Sequence, residues 1–131
     1  MMYREPSDSP WGLVVRCDTL FPGVYSVSTA GHGGIMVQID AARQLLSPED
    51  QAVGFQAGGY LNFEEDCDAP VVLRELMDSG IIAPRTDNYF RPGEYEACID
   101  RSLQHWNPAY WQARQERLSV REAKAAKERE R

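Results

Sequence analysis

Three glycines lie within four residues in the segment 29–34, which reads Thr-Ala-Gly-His-Gly-Gly. Glycine loses more conformational freedom on folding than any other residue, so such a cluster is expected where the backbone needs positive φ angles or where another group approaches it closely. The flanking segments, residues 24–29 and 35–39, alternate apolar and polar side chains as strands do. The pattern therefore predicts a loop between two strands, with His32 inside it.

The remaining periodicity predicts an α+β domain. Residues 11–17 and 60–64 also alternate, which gives a small antiparallel sheet of three or four strands packed by helices. A C-terminal helical extension should pack on the body of the protein through apolar side chains at helical spacing. Those side chains are Ile99, Leu103 and Trp106, with Tyr110 and Trp111 following in a second helix. Helix starts are predicted at the capping residues Asp40, Ser47, Asp68 and Asn107.

Composition predicts three regions along the 131 residues. We expect a flexible arm at 1–10, a single α+β domain at 11–111 and a charged helical tail at 112–131. No apolar run approaches the ~20 residues of a membrane span, and the first ten residues do not resemble a signal peptide. The three cysteines are odd in number and unclustered, which favours reduced thiols and a cytoplasmic protein without a membrane partner.

Charge is unevenly distributed between the tail and the rest of the chain. Residues 112–131 carry seven Lys and Arg against four Asp and Glu, whereas residues 1–111 carry seven Arg, no Lys and sixteen acids. Such an acidic body repels a phosphate backbone and favours a protein partner with a basic surface. Direct nucleic-acid binding is therefore not favoured, although the basic tail leaves it open; a solvated helical end is the simpler interpretation of the tail.

His32 and the acidic run that follows the strand at 60–64 form one candidate site. An imidazole can act as acid, base or metal ligand, and Glu64, Glu65 and Asp66 can supply a base or oxygen ligands if that strand pairs beside 35–39. This set is the candidate catalytic group of a small hydrolase-like or metal-binding enzyme. The adjacent Cys67 is a weak nucleophile because its acidic neighbours raise the pKa of a thiol. The usual motif partners of such sites are absent, so no cofactor or bound metal is expected.

The alternative is a structural role for the same residues. Gly31, Gly33 and Gly34 are candidate binding residues as a ligand cradle, but they can equally form a turn. The acidic run can cap the helix that begins near Asp68, where carboxylates meet the positive end of the helix dipole. Asp68 is therefore a candidate for binding or for capping.

The glycine loop that carries His32 and the later acidic run together resemble an uncharacterised domain of bacterial phage, plasmid and other mobile-element proteins. The resemblance rests on Thr-x-x-His-Gly-Gly at 29–34, followed by an aromatic residue and Glu-Glu-Asp at 63–66, and it extends over about 11–76. It implies a genetic context in which a small protein blocks a host defence complex, as anti-CRISPR or anti-restriction proteins do.

Two function classes follow from the sequence. The first is a non-enzymatic interaction domain that acts through its acidic surface, and the second is an enzyme that uses His32 with Glu64, Glu65 and Asp66. The distance from His32 to these three carboxylates distinguishes a site from a simple turn.

Overall fold

The computed structural model describes residues 3–130 and confirms the α+β class. The strands are β1 (Asp8–Ser9), β2 (Gly12–Leu13), β3 (Arg16–Phe21), β4 (Val24–Ser28), β5 (Gly33–Gln38), β6 (Phe55–Ala57) and β7 (Tyr60–Glu64). The helices are α1 (Ile39–Leu45), α2 (Pro48–Val53), α3 (Ala69–Asp78), α4 (Glu94–Trp106) and α5 (Pro108–Arg129). Met1, Met2 and Arg131, which belong to the predicted arm and tail, lie outside the described residues.

The main sheet has five antiparallel strands in the order β3-β4-β5-β7-β6, one more than the upper prediction. The additional strand is β6, which has only three residues, all of them exposed. It pairs with β7 through a turn at Gly58 and Gly59, which have φ angles of 61° and 84°. A separate two-stranded hairpin joins β1 to β2. The predicted strand at 11–17 is thus divided between β2 and β3, and β3 continues to Phe21 before the Pro22–Gly23 turn.

The sheet has a helix-covered face and a face covered by the N-terminal segment. On the first face, side chains of β4, β5 and β7 pack with those of α1 and α3. Ile35, Val37 and Phe63 belong to the strands of this core, and Val72 and Leu76 belong to α3. On the second face, Tyr25, Val27 and Met36 are covered by Tyr3, Trp11 and Val14. Residues 3–14 therefore contribute to the core of the protein.

Of the helix caps predicted at Asp40, Ser47 and Asp68, only Ser47 makes the expected side-chain hydrogen bond. Gln38, not Asp40, is the N-cap of α1, since its side-chain oxygen accepts a hydrogen bond from the backbone N–H of Asp40. Ser47 caps α2 as predicted, with its hydroxyl oxygen 3.1 Å from the backbone nitrogen of Asp50. Asp68 precedes α3, but its side chain makes no capping hydrogen bond.

Helices α4 and α5 form a second core with α3. Ile99, Leu103 and Tyr110 are buried there, whereas Trp106 is 56% exposed, so its predicted packing on the body is wrong. Trp106 ends α4, and the chain turns at Asn107 so that Tyr110 of α5 enters the core instead.

The first half of α5 is attached to the helical layer by ion pairs. Arg114 makes two hydrogen bonds to Asp78 at 2.8 and 2.9 Å, and Arg117 approaches Glu49 and Glu75. Beyond Leu118 the helix is almost entirely exposed up to residue 130. Within residues 3–130, no helix is both long enough and apolar enough to span a membrane.

Candidate functional site

The loop that carries His32 is shorter than the glycine pattern predicted. Ser28 and Gly33 are register partners in the β4–β5 hairpin, so only residues 29–32 connect the two strands. Thr29 closes this loop, because its backbone N–H and its hydroxyl both donate to the carbonyl oxygen of His32, at 2.7 and 2.8 Å. The same hydroxyl accepts a hydrogen bond from the backbone N–H of His32 at 3.1 Å. Three hydrogen bonds between Thr29 and the backbone N–H and carbonyl of His32 thus fix the position of His32.

Gly33 and Gly34 belong to strand β5, and close approach rather than positive φ explains them. A Cβ atom on Gly34 would lie 2.3 Å from the carbonyl oxygen of Phe63 and 2.5 Å from the ring of Trp11. A Cβ atom on Gly33 would lie 2.6 Å from the carbonyl oxygen of Val27 and 2.8 Å from a carboxylate oxygen of Glu65. Gly31, by contrast, has no atom within 4 Å of the corresponding position. The predicted turn role therefore fails for Gly33 and Gly34.

The pairing of β5 with β7 brings the two halves of the sequence pattern together. Gly34 is the register partner of Glu64, and the backbone N–H of Glu65 donates to the carbonyl oxygen of Gly33 at 3.1 Å. Nε2 of His32 lies 2.7 Å from Oε1 of Glu64. This contact lies across 32 residues of sequence. His32 is therefore within hydrogen-bond distance of one of the three predicted carboxylates.

The electrostatics of this pair favour an ionised contact. The hydrogen bond that Glu64 accepts from His32 raises the pKa of His32, with further contributions from the charges of Glu64, Glu65 and Asp66. The same hydrogen bond lowers the pKa of Glu64. Both side chains remain partly exposed, at 38% and 43%, so solvent screens the pair. These shifts extend the pH range over which a cationic imidazole donates to an ionised carboxylate.

Cys67 is not activated by its surroundings. Its Sγ lies 3.7 Å from Oε2 of Glu64. Burial, together with the charges of Asp68 and Glu64, raises the pKa of the Cys67 thiol to about 11. The thiolate is the nucleophilic form of cysteine, so this residue is a poor nucleophile at neutral pH.

Asn107 contacts the acidic turn, and its role was missed from the sequence. Its side-chain nitrogen donates to the carbonyl oxygen of Cys67 at 2.9 Å and to Oδ1 of Asp68 at 3.2 Å. Asn107 therefore makes no side-chain capping bond for α5, and Asp68 makes none for α3. Both helices begin where predicted, but neither side chain makes the predicted capping bond, and Asn107 donates to Asp68 instead. The Asn-Pro sequence signals a helix start, but nothing local signals a contact 39 residues away.

We call residues 64–68 together with His32 the acidic corner. Glu65 and Asp66 are exposed, and Glu64, Cys67 and Asp68 are partly buried. The acidic corner thus contains four carboxylates and one imidazole, of which Glu64, Glu65 and Asp66 lie close to His32. Two sets of possible metal ligands occur there, each with its donor atoms within 4.8 Å of one another. They are His32 with Glu65 and Asp66, and Glu64 with Cys67 and Asp68.

An apolar groove lies next to the acidic corner. It has a volume of about 450 Å³ and is lined by residues of α2 and of the α4–α5 junction, including Val53, Trp106, Pro108 and Tyr110. Asn107 belongs to the lining of the groove and also bonds Asp68, so it joins the two surfaces.

The sequence model of one protein family, described as "Domain of unknown function (DUF7007)", matches residues 4–131. The chain belongs to this family. The match includes the C-terminal helices, whereas the resemblance inferred from the residue pattern was expected over about 11–76. The comparison with curated proteins and the comparison with solved structures give no match.

For this DUF7007 domain, the extent of the match agrees with the contacts that attach α4 and α5 to the preceding part of the fold. The junction of α4 and α5 bonds the acidic corner through Asn107, and Arg114 of α5 bonds Asp78 of α3. A division of the chain near residue 76 would cut through α3 and the second core. The helices are therefore part of the folded unit that holds the acidic corner.

Proposed function

We propose that this DUF7007 domain is a non-enzymatic interaction domain that binds a basic surface of a partner protein through the acidic corner. The observation that carries the proposal is the 2.7 Å contact between His32 and Glu64, which joins the loop 29–32 to the acidic turn. A fixed group of carboxylates is suited to lysine and arginine side chains of a partner. The acidic body adds long-range attraction for a basic surface.

The chemistry of the corner supports binding rather than catalysis. A general base is most effective with a pKa near the working pH, whereas the hydrogen bond to His32 lowers the pKa of Glu64. His32 in its cationic form has no lone pair to accept a proton. The raised pKa of Cys67 keeps it as a thiol. The side chains of the acidic corner are therefore suited to electrostatic binding rather than to proton transfer or nucleophilic attack.

The resemblance to mobile-element domains suggests the kind of partner. We propose a protein of a host defence complex, blocked in the manner of an anti-CRISPR or anti-restriction inhibitor. Such complexes bind nucleic acid through basic surfaces, which an acidic protein can occupy. The groove lined by Trp106 and Pro108 offers apolar contact beside the charged corner.

The test compares two double charge reversals with the same change in net charge. Glu65→Lys with Asp66→Lys alters the exposed part of the corner, and Glu122→Lys with Glu128→Lys alters the exposed second half of α5. Binding to a partner isolated from the host should be salt-dependent, should be lost in the first variant and should persist in the second. Equal binding by both variants would exclude the corner as the interface.

A divalent cation site is the second candidate, favoured by the three donor atoms of His32, Glu65 and Asp66 within 4.8 Å. Imidazole and carboxylate ligands suit Mn²⁺ or Zn²⁺. Isothermal titration of the protein with each ion tests it directly. Saturable binding that His32→Ala abolishes would favour this candidate. If no ion binds, the cation site is excluded and the protein interface is the remaining candidate.

A further inference from the structure

A second polar cluster lies in the interior, where α2, α3 and α5 meet. Glu75 of α3 is 6% exposed and accepts four hydrogen bonds. Ser47 donates its backbone N–H at 2.7 Å and its hydroxyl at 2.6 Å. From α5, the hydroxyl of Tyr110 donates at 2.7 Å and Arg117 approaches at 3.4 Å. Glu75 therefore has the donors that an ionised carboxylate requires.

Asp50 of α2 lies beside Glu75 and has no such donors. Its exposure is 0%, and neither of its carboxyl oxygens has a hydrogen-bond partner among residues 3–130. The hydroxyl of Ser47 cannot serve it, because that hydroxyl donates to Glu75 while accepting from the backbone N–H of Asp50. A charged carboxylate without donors is very costly in the interior. Two ionised carboxylates in contact would be more costly still.

The simplest arrangement that satisfies both groups is a shared proton. A protonated Asp50 can donate its O–H to the carboxylate of Glu75, which removes the repulsion and provides a partner for one orphaned oxygen. Burial, followed by the charge and the hydrogen bond of Glu75, raises the pKa of Asp50 to about 9. Arg117 opposes this shift, and the remaining charged groups nearby are Glu49 on α2, Asp78 and Arg74 on α3, and Arg114 on α5.

We propose that a proton held between Asp50 and Glu75 fastens α5 to α2 and α3, and that its loss in alkaline solution loosens α5. Glu75 is the residue through which Tyr110 and Arg117 attach α5 to the body. A second negative charge at Asp50 competes for Arg117 and forces water or a counter-ion into the junction. Since Asn107 at the start of α5 also bonds Asp68, loosening α5 weakens the support of the acidic corner.

The linkage sign follows from the raised pKa of an acid. Between the unfolded pKa of 3.8 and the folded pKa of about 9, the folded protein keeps a proton that the unfolded chain has lost. Stability therefore falls as pH rises through this window. Asp50 alone lowers the equilibrium constant for folding by up to tenfold for each unit rise in pH. This decrease ends above about pH 9, where Asp50 ionises in the folded state as well.

The first experiment uses the unaltered protein. A ¹³C NMR titration of the side-chain carboxyl groups should show one aspartate that titrates near pH 9. The amide protection factors of residues 108–118, corrected for the intrinsic base catalysis of exchange, should fall over the same range. Titration of all aspartates below pH 6 would overturn the proposal. So would protection factors in α5 that do not change when the high-pH carboxyl ionises.

The second experiment uses Asp50→Asn, in which the amide N–H replaces the shared proton. Between pH 6 and 9, the unfolding midpoint of this variant in urea should fall less steeply than that of the unaltered protein, because the contribution of Asp50 is removed and that of the His32–Glu64 pair remains. The high-pH carboxyl signal should vanish. Asp40→Asn, at the first turn of α1, is the control and should retain the slope of the unaltered protein. An equal slope in Asp50→Asn and Asp40→Asn would refute the proposal.

Discussion

Substitution of Gly34 by alanine tests the close approach of β5, β7 and Trp11 that underlies the acidic corner. The new Cβ atom would lie 2.3 Å from the carbonyl oxygen of Phe63, where ordinary contact begins at about 3.4 Å, so the two strands must separate by about 1 Å. Backbone atoms of a central sheet cannot rotate out of the way as a side chain can. The ring of Trp11, at 2.5 Å, must move as well.

The magnitude follows from these displacements. A separation of 1 Å takes the flanking N–H···O bonds beyond the usual 2.7–3.2 Å, and two lost backbone bonds cost about 1 kcal/mol each. Displacement of Trp11 adds about 1 kcal/mol as overpacking. The lower entropy of the unfolded chain with alanine offsets about 0.5–1 kcal/mol. Gly34→Ala should therefore lower the free energy of unfolding by about 2–2.5 kcal/mol and the melting temperature by roughly 10 °C.

The assay is urea unfolding followed by tryptophan fluorescence, with circular dichroism as a second probe. The control is Gly31→Ala, because Gly31 has open space at its Cβ position and no positive φ angle. We expect that control to remain within about 0.5 kcal/mol of the unaltered protein. If Gly34→Ala were as stable as Gly31→Ala, the close approach would not be the reason for glycine at position 34.

Three further predictions concern other parts of the molecule. Glu64→Gln should lower the pKa of His32 measured by NMR, because it removes the charged hydrogen-bond partner that raises this pKa. In the unaltered protein, the His32–Glu64 pair should stabilise the fold below pH 6.5. This stabilisation should disappear as pH rises through the pKa of His32 in the folded state. An unchanged His32 titration in Glu64→Gln would contradict the 2.7 Å contact. Iodoacetamide at pH 8 should label the exposed Cys98 before Cys67, since a pKa of about 11 leaves only about one thiolate in a thousand at Cys67; mass spectrometry of the tryptic peptides checks the order, and faster labelling of Cys67 would contradict it. Asp78→Ala should lower the free energy of unfolding by about 2–4 kcal/mol, because it leaves the guanidinium of Arg114 without the two hydrogen bonds to Asp78. Truncation after Leu118 should change the free energy of unfolding by less than about 0.5 kcal/mol, because the removed residues are almost all exposed. Urea unfolding of both variants measures the difference, and a large loss on truncation would show that residues beyond 118 contribute to the core.

Local patterns in the sequence were sufficient for the fold class and for most of the elements. Alternating residues predicted β4, β5 and β7, and apolar spacing predicted α3, α4 and the burial of Ile99 and Leu103. These features are decided by periodicity, which a single segment contains. Ser47 as a cap is of the same kind, because its hydrogen bond reaches only three residues along the chain.

The sequence alone also selected His32 and Glu64, but it could not determine the relation between them. Their contact depends on the register of β5 against β7, which pairs Gly34 with Glu64. A shift of one residue would turn every side chain of the strand to the other face, and only packing of the whole sheet selects the register. The roles of Gly33 and Gly34 likewise depend on what lies beside them, and Glu65 and Trp11 are distant in sequence.

Tertiary structure alone decided the roles of Asn107, Asp50 and Trp106. Asn107 and Asp68 are both good caps by local preference, yet they bond each other across 39 residues. Asp50 appears in sequence as an ordinary acid in the first turn of a helix, but the packing of α3 and α5 over α2 buries it completely. Thus local sequence patterns determined which elements form, and residue type determined which side chains are chemically able to act. The long-range contacts determined which of those residues meet, because burial, register and hydrogen-bond partners are properties of neighbours in space.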